Sequence, residues 1–455
     1  MFGFSFHEGY SYYWIPLVLA VAVPLGALRP WWLFLGTTVA ITGGSLTEFV
    51  QTRTPWLGAF MNLNDTCLYA TLWALFYDWL RHRSKIQLPG PVVAMVGILL
   101  VASFQTSLRL GVTYDTIRAL RWALSFPIAF FAAANFHWDE KRAWQLAGAL
   151  FLGAFLAGVQ HSILIIRIGP LAYHGFARTI EFLASGIPQA VMVVAMLLPL
   201  PRRLGLRFFY LFAMGFMLLS TMLSQTRSVW LAMIASIPMA FLCYRQPQRL
   251  GLILRLVVVG VVGLLIAVLV FQAAFPEMDL IEMTLDRFFL LMDKTASEGS
   301  TGTRMRAFEY EMSHWKEGTW ILGRGLDFFQ GERYFNEGAF STRIAYGHLG
   351  YVTYLSQLGL LGLFIYAVYL PWRGLKTSIR LWNATSVESY RYLAALSGVV
   401  IFFLCVMFIM SSSLLGLAYH PAGLVLGAAW AIDRKIRLEP RLGAEIPETQ
   451  TQEQA

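Results

Sequence analysis

Charge is scarce in this chain. Only 13% of its 455 residues are Asp, Glu, Lys or Arg, against roughly 25% in an ordinary soluble chain. A soluble α/β or all-β domain is excluded by that poverty taken with what replaces it. Cysteine is nearly absent. Cys67, Cys243 and Cys405 fall at different expected depths and give neither a disulfide framework nor a metal cluster. Several catalytic signatures are missing too: there is no HExxH, no P-loop, no GxGxxG after a strand, no GxSxG and no DxD-type metal pair. His7, His82, His137, His161, His174, His314 and His420 show no ligand spacing among themselves. No metal and no cofactor is expected, and a metal-dependent nucleotide-sugar enzyme is not supported. The opening MFGFSFHEGYSYYW has no basic n-region and no small-residue cleavage site, so the first span is expected to be its own insertion signal. No internal repeat is visible.

What is present is hydrocarbon. Hydrophobic residues make up 57% of the chain, and they come in blocks of about 20, the length of a membrane-crossing helix. Spans are expected near 13–28, 31–48, 66–80, 90–108, 114–136, 143–166, 179–200, 205–224, 228–244, 255–275, 348–370, 391–413 and 417–432. The fold class is therefore an all-α polytopic membrane protein of about 12–13 transmembrane helices. Tyr12, Tyr13, Trp14, Trp31, Trp32, Trp372 and Trp382 stand at block ends, where an aromatic ring keeps its body in hydrocarbon and its polar tip wet. Gly186 and Pro188 interrupt the seventh span, as a kink or beside a cavity.

Basic residues orient the spans. One set of alternate connections holds 20 of the 35 Lys and Arg residues, in connections short enough for the positive-inside rule, so this face is cytoplasmic. That topology accounts for most of the +9 net charge, and no nucleic-acid partner is expected. The opposite face holds one long segment, 276–347, with eight basic and twelve acidic residues. MDLIEMTLDRFFLLMD and RMRAFEYEMSHWKEGTW have amphipathic helical spacing, so a partly helical periplasmic loop is expected between the tenth and eleventh spans. The chain then divides into N-terminal spans 1–112, central spans 113–275, the loop 276–347, C-terminal spans 348–432 and a cytoplasmic tail 433–455.

Once the chain is oriented, Arg118, Arg121, Arg178, Arg227, Arg304, Arg306 and His348 all map to the non-cytoplasmic side. Guanidinium groups gathered at a water–lipid boundary suit a phosphate or pyrophosphate, which they grip through planar bidentate hydrogen bonds. The plainer alternative stands beside this. Arginines at helix ends snorkel to the interface, Asp115 is placed to pair with Arg118 along the helix, and a histidine at a span boundary is often a structural hydrogen-bonder. His348 lies between Gly347 and Gly350, so the backbone around it can be approached closely. Its ordinary pKa near 6.5 lets it take a proton at neutral pH.

Three segments resemble the O-antigen ligase and polymerase superfamily, membrane glycosyltransferases that use polyprenyl-pyrophosphate-linked glycans. SQTRSVWLAM is similar to the family's Ser-x-Ser-Arg-Gly-x-Trp-Leu pattern, with Arg227 on its arginine. GSTGTRMRAFEYEMSHWKEGTWILGRGLDFF resembles its Ser-Gly-Arg…Trp…Leu-Gly-x-Gly stretch, with Arg304 on its arginine. GHLGYVTYLSQLGLLG resembles His-Asn-x-Tyr-Leu…Gly-Leu-x-Gly, with His348, Tyr351, Gly359 and Gly362 on the matching positions. The sequence departs at Leu349, where the family usually has Asn, and at Thr226 and Ser228, where Ser and Gly are more usual.

The resemblance implies a glycosyltransferase at the periplasmic face of the bacterial inner membrane, metal-independent and inverting. Its catalytic residues would be His348, Arg227 and Arg304. Arg178, Arg306, Arg324 and Tyr351 would bind substrate. Its partners would be a polyprenyl-pyrophosphate-linked glycan as donor, lipid A–core or a second lipid-linked glycan as acceptor, and the bilayer. A ligase using lipid A–core is favoured. A polymerase joining lipid-linked repeats is the near alternative, and a transporter of lipid-linked glycans is the alternative from another class.

Overall fold

The computed structural model describes residues 11–43, 63–83, 85–112, 114–168, 187–197, 203–223, 227–243, 350–410 and 420–438, with scattered positions between 257 and 326. Among them the secondary structure is helical apart from one isolated bridge between Thr319 and Gly323. The helices are α1 (Ser11–Leu28), α2 (Pro30–Gly43), α3 (Leu63–His82), α4 (Gly90–Leu110), α5 (Tyr114–Asn135), α6 (Glu140–Ile168), α7 (Ile187–Leu197), α8 (Leu204–Leu223), α9 (Arg227–Cys243), α10 (Gly350–Phe364), α11 (Leu370–Ala384), α12 (Glu388–Met410) and α13 (His420–Leu438). One π-helical turn, Ile365–Tyr369, joins α10 to α11.

Five described stretches are long and apolar enough to cross a membrane: Gly90–Arg109, Glu140–Ser162, Leu204–Thr221, Gly350–Ala384 and Glu388–Ile409. The shorter α7 and α9 are apolar as well. The protein is an all-α polytopic membrane protein. Of the expected tenth span, only helical positions between 257 and 273 are described. In the expected loop, residues 308, 309, 312, 313 and 315 are helical.

The span expected to end near 370 is followed by helix as far as Ala384. Gly350–Ala384 covers 35 residues, helical apart from a break at Gly359, more than the ~20 residues a hydrocarbon core needs. Its second half, α11, carries Arg373, Lys376 and Arg380 on a polar face. Pro188 is within α7, which is described from Ile187 onward, and Gly186 lies outside the described residues.

Lipid gives apolar helices no reason to associate with one another, so close packing and polar ties must do it. The most extensive contact is between α5 and α13. Gly423 faces Phe126 and Ala129, and Gly427 faces Phe130 and Ala133. Equal four-residue steps on both helices mean that they run parallel, with a small-residue seam between them. Helix α12 is the most buried of the five long stretches. Val93, Leu100, Phe104 and Leu108 of α4 form an exposed stripe, as a hydrocarbon-facing surface requires.

One end of the bundle gathers basic residues, and several of them are paired. Buried Asp78 of α3 accepts Arg142 at 3.2 Å and His82 at 3.3 Å, and also the backbone N–H of His137. Buried Asp433 of α13 takes Arg380 at 2.8 Å and Arg437 at 3.2 Å. Lys435 Nζ donates to the Trp138 carbonyl. Trp31, Phe34, Phe136 and Trp138 pack beside Asp78's partners, with Arg142 over the Trp31 ring. Asn135 ties the end of α5 to Gln87 before α4, so α4 rises from this basic end.

Candidate functional site

The opposite end is built around a break in α10. Gly359 has φ 67° inside the helix, a left-handed conformation that side chains other than glycine's rarely adopt. An intact helix would bond Leu360 N–H to Ser356 O and Leu361 N–H to Gln357 O. The loop 319–326 takes all four groups instead. Leu360 N–H donates to Trp320 O and Leu361 N–H to Ile321 O, both at 3.0 Å. Arg324 N–H donates to Ser356 O at 3.0 Å and Gly325 N–H to Gln357 O at 2.9 Å. Two lost helical bonds are thus replaced by four bonds to the loop, which satisfies these groups away from water.

The fit leaves no room for side chains where the two strands of backbone meet. A Cβ on Gly359 would collide with the Ile321 carbonyl, and one on Gly323 would stand 2.5 Å from the Gln357 carbonyl carbon. Gly323 also has a positive φ of 71°. A third side of the latch is α4. Thr106 Oγ1 donates to the Leu326 carbonyl at 2.8 Å, sixteen residues along α4 from its start near the basic end. The latch therefore sits in the half of the bundle remote from the paired charges.

Arg324 is seated in this latch and is only 5% exposed. Thr353, Ser356 and Gln357 on α10 and Ser103 and Thr106 on α4 are buried polar residues of the helices that grip it. Tyr351 lies in the first turn of α10, half-buried against the core. Arg324 and Tyr351, both expected to touch substrate, are thereby tied to one helix.

A second polar group lies in the same half of the bundle, around the last turn of α8. His161 Nδ1 of α6 is 2.9 Å from Ser220 Oγ. Gln189 Nε2 of α7 donates to Thr221 Oγ1 at 3.3 Å. Trp230 Nε1 of α9 donates to the Thr221 carbonyl at 2.7 Å. Such ties between membrane helices are worth about 0.6 kcal/mol each on average. Arg227 is the first described residue of α9.

Of the remaining candidates, Arg178, Arg304, Arg306 and His348 lie outside the described residues, as does the side chain of Arg227. Among the described residues no three His, Cys, Asp or Glu side chains stand close enough to hold a metal ion. Sequence reasoning passed over the four-bond latch and the α8 ties. Their traces are legible in hindsight: glycines in both LGRG and QLGLLG, and lone polar residues, His161 and Gln189, inside apolar spans, where such residues mark function or helix pairing.

Residues 212–367 match a family model described as O-antigen ligase. The matched stretch is about a third of the chain. It begins within α8, takes in α9, the loop 319–326 and the break in α10 but not Thr106 of α4, and ends in the π-helical turn. Arg227, Arg304, Arg306, Arg324, His348 and Tyr351 fall inside it, and Arg178 falls outside. The match supports the O-antigen ligase and polymerase superfamily and indicates a membrane glycosyltransferase of that type. No curated protein matches the chain.

Proposed function

We propose that the protein transfers a glycan from polyprenyl pyrophosphate to a hydroxyl of lipid A–core at the periplasmic face of the bacterial inner membrane. The family match, which encloses six of the seven candidate residues, is the observation that carries this reading. The latch supports it by seating Arg324 at the end of the bundle remote from the paired basic residues.

In this reading the donor's isoprenoid chain stays in the bilayer and its pyrophosphate reaches Arg227 and Arg304. Arg178, Arg306, Arg324 and Tyr351 complete the grip on donor and acceptor. His348 takes the proton from the acceptor hydroxyl as that oxygen bonds to the anomeric carbon. The bond from that carbon to the pyrophosphate oxygen breaks, and polyprenyl pyrophosphate leaves with the electron pair. Attack from the face opposite the leaving group inverts the configuration. Arginines placed before the reaction stabilise the growing negative charge without reorganising, which is often the largest catalytic contribution. Proton removal by a positioned base adds typically ~10²–10⁴-fold. Leu349, where the family usually has Asn, leaves the base itself in place.

The test is purified protein in proteoliposomes with a defined lipid-linked donor and each acceptor in turn. Transfer to lipid A–core supports the ligase, whereas elongation of a second lipid-linked glycan makes it a polymerase. His348→Ala and Arg304→Ala are each expected to abolish transfer while the protein remains inserted and folded. Near-normal transfer by either refutes the role given to that residue. Movement of intact lipid-linked glycan across the membrane without transfer would make the protein a transporter.

A further inference from the structure

The two buried carboxylates of the basic end are not neutralised alike. Around Asp78 one guanidinium suffices. Arg142 Nη1 donates to the carboxylate and to the His137 carbonyl, and the Arg142 side chain is only 16% exposed. Around Asp433 there are three. Arg380 and Arg437 approach the same oxygen, Oδ2, at 2.8 and 3.2 Å, and Arg373 is the next positive charge that this carboxylate feels. Among the described residues no second carboxylate comes within ion-pair distance of these arginines, so two positive charges are left over. The Arg380 and Arg437 side chains are 35% and 51% exposed, and each still has N–H donors for a second anion.

The surroundings of this cluster decide which anion fits. Helices α11 and α13 run side by side in the same direction. A Cβ on Gly374 would meet Leu426, and Arg380 meets Asp433, six residues on along one helix and seven along the other. Leu370, Arg373, Thr377 and Arg380 recur at steps of three, four and three, so they share one face of α11. The arginines occupy one end of that stripe. At the other end is a partly open apolar cleft of about 130 Å³ between α11, α12 and α13, walled by Leu370, Pro371, Ile401, Leu404, Phe408 and Leu426. An apolar cavity near this size stays dry and takes hydrocarbon. Leu426 precedes Asp433 by about 10 Å of helix, on the side away from the charges of the basic end. Trp372, next to Arg373, is exposed on the outside of the bundle, where a tryptophan marks the level of lipid headgroups. Guanidiniums at headgroup level, with a dry cleft in line behind them, match an anion that carries a hydrocarbon chain. A free phosphate would use only the charged half.

We propose that Arg373, Arg380 and Arg437, together with the cleft lined by Leu370 and Leu426, seat an anionic phospholipid of the leaflet at the basic end, its phosphodiester on the guanidiniums and one acyl chain in the cleft. Phosphate oxygens suit guanidiniums because they accept paired, charge-assisted hydrogen bonds. The two surplus charges favour phosphatidylglycerol over phosphatidylcholine, which brings a cation of its own. The seat lies at the opposite end of the bundle from the latch, so it is separate from the residues given to the glycan donor and does not depend on the transfer reaction.

The experiment uses the full chain in phosphatidylcholine nanodiscs, with nitroxide-labelled phosphatidylglycerol or phosphatidylcholine as the probe. The immobilised fraction of each probe gives its relative association constant. Wild type is expected to favour phosphatidylglycerol. Arg373→Gln is expected to cut that preference about fivefold, the worth of one basic residue at an anionic surface, and Arg373→Lys to keep most of it. Ala367→Leu places extra bulk in the cleft and should weaken phosphatidylglycerol association without touching a charge. Added phosphatidylglycerol should raise the melting temperature of the wild type more than that of Arg373→Gln. Equal association of the two lipids with the wild type overturns the seat, and so does an unchanged preference in both Arg373→Gln and Ala367→Leu. Displacement of the probe by inorganic phosphate, beyond the effect of potassium chloride at equal ionic strength, overturns the lipid in favour of a free anion. Displacement by polyprenyl phosphate at lower concentration than by phosphatidylglycerol overturns it in favour of a carrier lipid. The wild-type comparison and either variant alone keep the test decisive should the other variant not fold.

Discussion

The two ends of the bundle are held together by different chemistry. At the basic end, two buried carboxylates organise their surroundings: Asp78 gathers Arg142, His82 and the His137 N–H, and Asp433 gathers Arg380 and Arg437. At the other end, the latch uses backbone N–H and C=O groups, glycines and one threonine hydroxyl, and the ties around α8 use hydroxyl, amide, imidazole and indole groups. The basic end uses its ionised side chains on one another. The latch end is assembled from uncharged groups, so its scaffold does not depend on the ionised side chains that a charged substrate would engage.

The sharpest way to break that contrast is to damage the latch. Gly359→Ala forces a methyl into the Ile321 carbonyl and a left-handed φ on an alanine. Neither strand of backbone can move without losing bonds to the other. A cost of several kcal/mol is expected, with the melting temperature lowered and glycan transfer reduced to background. Thr106→Val removes one bond on the rim of the same latch and should cost about 1 kcal/mol, with transfer only partly reduced. Thermal melting in detergent and transfer per inserted molecule check both. Wild-type transfer by Gly359→Ala would show that the latch is packing and nothing more.

The basic end should answer differently. Asp78→Asn leaves Arg142 without its carboxylate in a half-buried site. Breaking such a pair costs up to about 3–5 kcal/mol where the partner stays buried, and Arg142's partial exposure puts the expected loss at the lower edge of that range. Transfer per folded molecule, measured well below the melting temperature, should stay within about twofold of wild type because the site is at the other end. Adding Arg142→Met should recover part of the lost stability. If Asp78→Asn reduces transfer as much as Gly359→Ala does, the two ends are coupled and the contrast fails.

Most of the fold was readable in advance because the bilayer writes it into composition. Apolar runs of about 20 residues and the bias of Lys and Arg gave the spans and their alternation. The apolar run of the eleventh span ends where Arg373, Lys376 and Arg380 begin. Hydropathy reports where hydrocarbon stops, whereas the helix continues to Ala384. The site was legible only in part. Tyr351 stood on a motif position and Arg324 within LGRG, as candidates, but the seat of Arg324 depends on Thr106 meeting Leu326, 220 residues away. His161 and Gln189 were visible as isolated polar residues. Their partners, 59 and 32 residues distant, were not, because short-range periodicity carries no information about which helices become neighbours.

The smallest expected effect concerns pH and belongs to the basic end alone. His137 lies in the turn between α5 and α6, its ring stacked on His82 with centroids 5.0 Å apart. Burial, and then the nearby positive charges of Lys435, His82 and Arg142, push its pKa below the ordinary 6.5, with Asp78 opposing them. A histidine whose folded pKa is depressed is kept neutral by the fold. Its contribution to stability is complete above the unfolded pKa and is lost as pH falls through the folded one. Acidifying from about pH 7.5 toward pH 5 should therefore lower the melting temperature, and His137→Gln should remove roughly one or two degrees of that fall. The difference between the two melting curves isolates His137 from every other titrating group. Identical slopes in wild type and variant would mean that the stacked pair accepts a proton in the fold as readily as in the unfolded chain, and that Asp78 balances the surrounding positive charge more fully than its geometry indicates.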